Sequence, residues 1–363
     1  MVRRGFNSFM HTTLSTPAIS VLIPIYNAER YLAEALSSLH EQKYSSIEFI
    51  CINDGSTDGS RGIVQSFLDK DARFKVIDKE NSGYGSSLNQ AIKQAQGEYI
   101  SIFEPDDFIE GEMFGCLYTL AQKTGFPDIV KSAYWSIDEE ENRFHCGYWG
   151  RIKHVQKAFR IEDEPLLTRY HPSIWSALYK KDFLSSQHIS FKEVPGAGWV
   201  DNPFMAETLL KAHSIVYTND SFYCYRDAHE GSSTANIAHM EMPLERWLEM
   251  TEIFLSQGVS NRELWSIHSY KAFHYLDYAK QAKDYQPAAW ESYAKVILEK
   301  LSPELVAYSQ YLSPAQKQQY TSITGKELHR VRKLPYYGML LNEAYWKIRQ
   351  NGFKFMLRRA ISS

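Results

Sequence analysis

The chain has 363 residues, enough for one large domain or two ordinary ones, and its 44% hydrophobic and 23% charged content is that of a soluble globular protein. A formal net charge of −3 gives no general attraction for nucleic acid. No segment approaches the ~18 apolar residues a membrane span requires, and the start, despite Arg3 and Arg4, lacks the apolar core of a signal peptide.

The first third alternates strand and helix. Ile19 to Ile25 is a β-rich run; Asn27 can cap a helix on which Leu32, Leu36 and Leu39 recur. Ile47 to Ile52 is a second strand, followed by a helix marked by Ile63, Val64, Phe67 and Leu68. Phe74 to Ile77 is a third strand. The turn Ser82-Gly83-Tyr84-Gly85 opens a helix carrying Leu88, Ala91, Ile92 and Ala95, and Glu98 to Phe103 is a fourth strand. Such alternation predicts a parallel sheet with helices on both faces.

Further along, Ile129 to Trp135, Ile174 to Tyr179 and Phe222 to Tyr225 read as strands joined by longer links. Val194-Pro195-Gly196-Ala197-Gly198-Trp199 reads as a flexible loop leading to Asp201. From about Leu244 the chain is helical. Trp247, Met250, Ile253 and Phe254 form one stripe, and Leu264, Ile267, Tyr270 and Tyr275 another; Pro287 opens a third helix with Trp290, Ala294, Ile297 and Leu298. Cys51, Cys116, Cys146 and Cys224 are far apart with no Cys-x-x-Cys pair, which predicts small buried side chains in a reducing compartment rather than a zinc site or disulfides. The 24 Tyr, 19 Phe and 8 Trp can stack on sugars or bases, and they are equally ordinary core material.

Three apolar runs end in polar, turn-forming clusters, which predicts a ligand site at one sheet edge. Tyr26 follows Pro24 at the end of the first run and can stack on a base or pack in the core. Asp54, within Asn53-Asp54-Gly55-Ser56, can accept from a pyrimidine ring N–H or hold a turn. Glu104, Asp106 and Asp107 are hard oxygen donors suited to a divalent cation beside a diphosphate, or form an ordinary acidic turn. Gly83-x-Gly85 is not a dinucleotide fingerprint, because Leu88 stands where the third glycine belongs.

These pieces together resemble the inverting glycosyltransferases of family 2, of the bacterial cell-surface polysaccharide type. The resemblance rests on Val21-Leu22-Ile23-Pro24-Ile25-Tyr26-Asn27, Asn53-Asp54-Gly55-Ser56-Thr57-Asp58, Glu80-Asn81-Ser82-Gly83-Tyr84-Gly85, Asn89, Gly97-Glu98-Tyr99-Ile100 and Pro105-Asp106-Asp107, and covers the first ~110 residues. It implies an α/β protein of the GT-A (nucleotide-diphospho-sugar transferase) fold, with a mostly parallel central sheet flanked by helices and a helical C-terminal region. The catalytic domain would span 15–235, and the helical region with its basic tail 240–363.

By the same resemblance, Pro24 and Tyr26 line the base pocket, Asp54 binds the base, and Gly83 lies near the nucleotide. Asp106 faces the ribose or sugar, and Asp107 ligates Mn2+ or Mg2+ bridging the diphosphate. Glu104 stands where the family often has Asp, and it is not assigned to the metal. Trp199-Val200-Asp201-Asn202-Pro203-Phe204 resembles the segment that supplies the general base, which makes Asp201 that base; Val200 replaces the usual Glu, and Glu207 is the fallback. Asp201 as a helix cap is the plain alternative. His171-Pro172-Ser173-Ile174-Trp175 resembles an acceptor-side strand, with Trp175 either stacking on a sugar or buried. Arg226 approaches the diphosphate or forms a surface ion pair, and His229 to Ser233 resembles the segment that follows.

From Lys326 to the end there are nine Lys or Arg against two Glu, interleaved with Leu340, Leu341, Trp346, Phe353, Phe355, Met356 and Leu357. This segment either lies on an anionic membrane or packs on the domain. Pro243 stands at the Gln position of the Gln-x-x-Arg-Trp signature of processive synthases, before Arg246-Trp247, which argues against chain polymerisation. The expectation is thus a cytoplasmic enzyme, at most peripheral to the membrane. It would move one sugar from a nucleotide-diphosphate donor, UDP-linked, to a hydroxyl of a glycan or lipid-linked acceptor. A sugar-phosphate nucleotidyltransferase and a non-catalytic nucleotide-sugar-binding relative are the alternatives.

Overall fold

A computed structural model describes residues 16–227 and 237–352. Its strands are β1 (Ile19–Ile25), β2 (Ile47–Asp54), β3 (Phe74–Lys79), β4 (Tyr99–Ile102), β5 (Phe108–Ile109), β6 (Ile129–Ile137), β7 (Arg143–His145), β8 (Ala177–Lys180) and β9 (Ile215–Arg226). They form one sheet in the order β3-β2-β1-β4-β8-β6-β9-β5, with β7 paired to β6. β1 runs parallel to β2 and β4, β2 to β3, and β6 to β9. The antiparallel ladders at β8, β5 and β7 are short, so most of the paired length is parallel.

β1 is buried along its whole length, as the continuous apolar run from Ile19 to Ile25 requires of an inner parallel strand. Because β1, β2 and β4 run the same way, their carboxyl ends bring Tyr26, Asp54 and the segment from Glu104 to Asp107 to one edge.

The helices are α1 (Glu29–His40), α2 (Ser60–Leu68), α3 (Tyr84–Gln94), α4 (Met113–Lys123), α5 (Lys181–Ser186) and α6 (Asp201–Lys211), then α7 (Glu241–Ser256), α8 (Arg262–Ala279), α9 (Pro287–Glu299), α10 (Pro303–Tyr308), α11 (Pro314–Thr324) and α12 (Leu334–Asn351). α7 packs between α6 and α8, and buried apolar residues from Leu22 through Trp247 to Tyr320 form one cluster across the expected 235–240 boundary. Trp247 is core: its Nε1 donates to the His268 carbonyl at 3.0 Å and its ring stacks on His268.

Several local expectations need correcting. Asn27 does not cap α1; Ala28 holds the cap position, while Asn27, at φ 49°, accepts the Thr57 amide at 2.8 Å through its side-chain oxygen. The strand expected from Ile174 begins at Ala177, because the chain from Pro165 is a short 3-10 turn and loop, and Phe222 to Tyr225 is the end of the longer β9. Three cysteines are buried as expected, but Cys116 is exposed on α4.

Of the basic C-terminal segment, α12 packs on the sheet domain through Glu343. This carboxylate accepts from Arg151 (2.7 and 3.0 Å), Arg169 (2.6 Å) and the Tyr170 hydroxyl (3.0 Å). These guanidinium groups hold its pKa down at about 2 despite burial. The opposite face shows Leu334, Tyr337, Leu341 and Tyr345 to solvent. Lys354, Arg358, Arg359 and the apolar residues among them, like the segment from His229 to Ser233 and Arg3 and Arg4, lie outside the described residues.

Candidate active site

A cleft of about 850 Å³ opens over the carboxyl edge of the sheet, and Pro24, Tyr26, Asp54, Gly83, Asp106, Asp107, Trp175, Asp201 and Arg226 all line it. These residues come from segments up to two hundred positions apart. Tyr26 is 54% exposed, so it meets the cleft as an open ring rather than as core.

Asp54 ends β2 with its carboxylate buried. It accepts the Ser82 and Gly83 amides, each at 2.9 Å, and the Lys79 ammonium. It therefore fixes the turn into α3 while facing the cleft. Gly83 has φ 95°, and a Cβ there would lie 2.3 Å from the Val194 carbonyl oxygen. The Tyr84 amide donates to the Gly196 carbonyl at 3.0 Å. The glycines of this turn thus allow the loop at 194–198 to close over it.

The acidic end of β4 is crowded. Glu104 is pushed up to about 8 by burial and by Asp106, although the Tyr84 hydroxyl donates to it. Asp107 is buried; its Oδ2 accepts from the Tyr223 hydroxyl at 2.9 Å and its Oδ1 from the Arg226 amide at 2.8 Å. Burial, then the Asp106 charge, still drive its pKa well above the carboxylate range. Negative charge that repels itself in a half-buried site is relieved by a cation, and the donors are all hard oxygens. Among the described residues, no group of three or more His, Cys, Asp or Glu is arranged to hold a metal. The residues present fit Mg2+ or Mn2+ if it takes further ligands from phosphate oxygens.

Arg226 is built in rather than free. Its guanidinium donates to the Asp106 carbonyl, pairs with Glu34 at 2.7 Å and lies over the rings of Phe108 (4.7 Å) and Tyr31 (4.9 Å). Trp175 is 2% exposed and stacked on Tyr223 (4.0 Å) and Tyr225 (5.3 Å). That corrects the picture of a sugar-stacking platform: Trp175 reaches the cleft as part of a packed aromatic group, and its burial by β9 is a tertiary fact that the local sequence does not carry.

Asp201 is the first residue of α6, whose cap is Val200, so the capping alternative is not what the geometry shows. Its Oδ1 accepts from Asn202 Nδ2 at 3.1 Å. Burial raises its pKa to about 6, against the lowering effect of hydrogen bonds and of Lys271. A carboxyl titrating there can take up a proton near neutral pH. The fallback Glu207 is bound to Lys211 at 2.6 Å and does not line the cleft.

The far wall joins His171 of the expected acceptor-side segment, and Tyr270 and Tyr275 of the expected helical stripe, to residues the sequence did not single out: Arg169 and Tyr170 from the loop before β8, and Lys271, His274 and Tyr278 from α8. Lys271, Tyr275 and Tyr278 stand at i, i+4 and i+7, one helix face. That spacing was available, but with Leu264 and Ile267 beside it the stripe reads as core.

The family described as Glycosyl transferase family 2 matches residues 20–184. Glycosyltransferase GlyG of Streptococcus pneumoniae serotype 4 is 30% identical over 247 residues, 65% of this chain and 78% of that protein. Glycosyltransferase GlyA of the same organism is 27% identical over 270 residues, 66% of this chain but only 38% of its own length. Among solved structures, S. aureus TarS 1-349 in complex with UDP-GlcNAc superposes with a TM-score of 0.68 over 85% of this chain and 90% of that one. At 18% identity that likeness speaks to the fold.

Proposed function

The chain belongs to glycosyl transferase family 2 and has the GT-A fold, and on that premise we propose that it transfers one sugar, with inversion, from a UDP-linked donor to a hydroxyl of a glycan or lipid-linked acceptor. The observation that carries this reading is the convergence of Tyr26, Asp54, Asp107 and Asp201 on one cleft. In this reading Pro24, Tyr26 and Asp54 receive the uracil, Gly83 lets the backbone approach the nucleotide, and Asp106 faces the ribose or sugar. Arg226, fixed by Glu34, lends positive charge to the diphosphate side.

Mg2+ or Mn2+ held by Asp107, with Asp106 beside it, would offset charge on the departing diphosphate. The remaining work falls to the chain. Asp201 accepts the proton of the acceptor hydroxyl as its oxygen bonds to the anomeric carbon. The bond from that carbon to the diphosphate oxygen breaks, and its electron pair leaves with UDP. A single displacement inverts the anomeric centre.

Donor breakdown tests this: a panel of nucleotide sugars is incubated with the protein and Mn2+, and release of the nucleoside diphosphate is followed. Turnover of a UDP-sugar is expected, with a loss of about 100-fold or more in Asp201→Asn and Asp107→Ala. Release of pyrophosphate from a nucleoside triphosphate, or undiminished turnover in both variants, sinks the reading.

No helix among the described residues is long and apolar enough to cross a membrane. We infer instead that α12 rests on an anionic lipid surface. Leu334, Tyr337, Leu341 and Tyr345 form its outward stripe, and Arg330, Arg332, Lys333, Lys347 and Arg349 flank it.

A further inference from the structure

Two contacts link α8 to Asp201. The Tyr275 hydroxyl donates to Asn202 Oδ1 at 2.6 Å. With its oxygen engaged, the Asn202 amide must present Nδ2 on its other side, and Nδ2 donates to Asp201 Oδ1 at 3.1 Å. The amide therefore has one orientation in which both bonds exist. Trp199 packs edge-on against Tyr275 (5.7 Å) and Tyr278 (5.2 Å), which seats the loop before Asp201 on the same helix face.

Lys271 stands one turn before Tyr275 and also lines the cleft. It is 7% exposed, and among the described residues its ammonium makes no hydrogen bond or ion pair. The residue is largely buried while its ammonium faces the cleft, and charge nearby lowers the cost of holding it there. Asp201 is the acid whose field acts on it. Glu104 beyond β4, Tyr84 of α3, Tyr225 of β9 and Tyr275 itself lie in the field of this carboxylate, and none of them is a cation. Of the other groups lining the cleft, Arg169 is paired with Glu343, and burial holds the pKa of His171 and of His274 down.

We propose that α8 is a working wall of the active site, in which Tyr275 orients the Asp201 carboxylate through Asn202 and Lys271 keeps that carboxylate ionised. The proposal rests on Asp201 being the general base. Tyr275 and Lys271 are positioning residues: they act on the sugar transfer through Asp201. Without Tyr275 the Asn202 amide is free to turn, and Asp201 loses a fixed donor. Without Lys271 the positive charge that α8 turns to the cleft is gone, since Arg169 on the same wall is already paired with Glu343, and the ionised base becomes harder to hold beside Glu104.

The test separates this inference from the reaction itself. Stability against urea is measured from pH 4 to 9 for the wild type, Lys271→Met, Tyr275→Phe and Lys271→Arg, each with and without Asp201→Asn. Read below about pH 7, where Lys271 keeps its proton, the difference within each pair reports the titration of Asp201. Because its folded pKa lies above the usual carboxylate value, the native state holds the extra proton. The wild type should then lose stability relative to Asp201→Asn as pH rises from about 4 to about 6. In Lys271→Met this window should reach about one pH unit higher, in Tyr275→Phe somewhat less, and Lys271→Arg should match the wild type.

Donor turnover, with the UDP-sugar found in the panel, should show the acidic limb of kcat moving by the same amounts with KM little changed. Difference curves that superimpose on the wild type overturn the proposal. So does a Lys271→Met effect confined to KM, which would make Lys271 a substrate contact. Undiminished turnover in Asp201→Asn would remove the base assignment, whatever the stability curves show.

Discussion

A side chain at position 83 would have to occupy space held by the Val194 carbonyl oxygen, 2.3 Å from the Cβ position, on a backbone at φ 95° and ψ 164°. Only glycine adopts that region without strain. Gly83→Ala should therefore cost about 3 kcal/mol of stability in urea unfolding. Because the Asp54 carboxylate is anchored to the same turn, UDP affinity by calorimetry should fall with it. Unchanged stability and affinity would contradict the geometry. The places of Asp54, Asp106 and Asp107 on the cleft were legible because each sits in a short motif at the end of an apolar strand, and that of Gly83 because it lies in a glycine turn that opens a helix. Trp175 was not: its burial depends on Tyr223 and Tyr225, which arrive on β9 some fifty residues later. Nor was the role of Asn202, whose neighbour Tyr275 comes from another helix.

At the scale of elements, α12 has two unlike faces. One is pinned by Glu343 to Arg151, Arg169 and Tyr170, and the other shows Leu334 (84% exposed) and Leu341 (74% exposed) among cations. Vesicles containing phosphatidylglycerol should bind the full chain at low salt and release it as salt rises, while neutral vesicles bind weakly. Leu341→Glu should weaken binding roughly thirty-fold, since one buried leucine is worth about 2 kcal/mol. Co-sedimentation measures this, and equal binding to neutral and anionic vesicles would defeat it. Amphipathic character was visible in the sequence. Which face meets the domain was not, because that depends on Arg151 and Arg169, which lie far from α12 in the chain.

For the whole molecule, the strand-helix alternation disclosed the parallel half of the sheet, where pattern and connection length are local. In the antiparallel half β8 was expected, three residues too early, while β5 and β7 escaped, since they are only two and three residues long and are defined by their neighbours. The cleft joins both halves to α8, so a chain ending at residue 236 should lose the cover over α6 along with Tyr275 and Lys271. It is expected to be insoluble or not to bind UDP, as gel filtration and calorimetry would show; a soluble, monomeric fragment with full affinity would argue for independence of the two regions. The family match stops at residue 184, whereas Asp201 and the whole of α8 lie beyond it. Asp201 and the α8 wall are therefore written in a different stretch of the gene product from Tyr26, Asp54 and Asp107. On the proposed reaction, a chimera that keeps the first stretch and borrows the second from a cousin should retain the nucleotide preference of the first parent while its choice of recipient hydroxyl shifts toward the second.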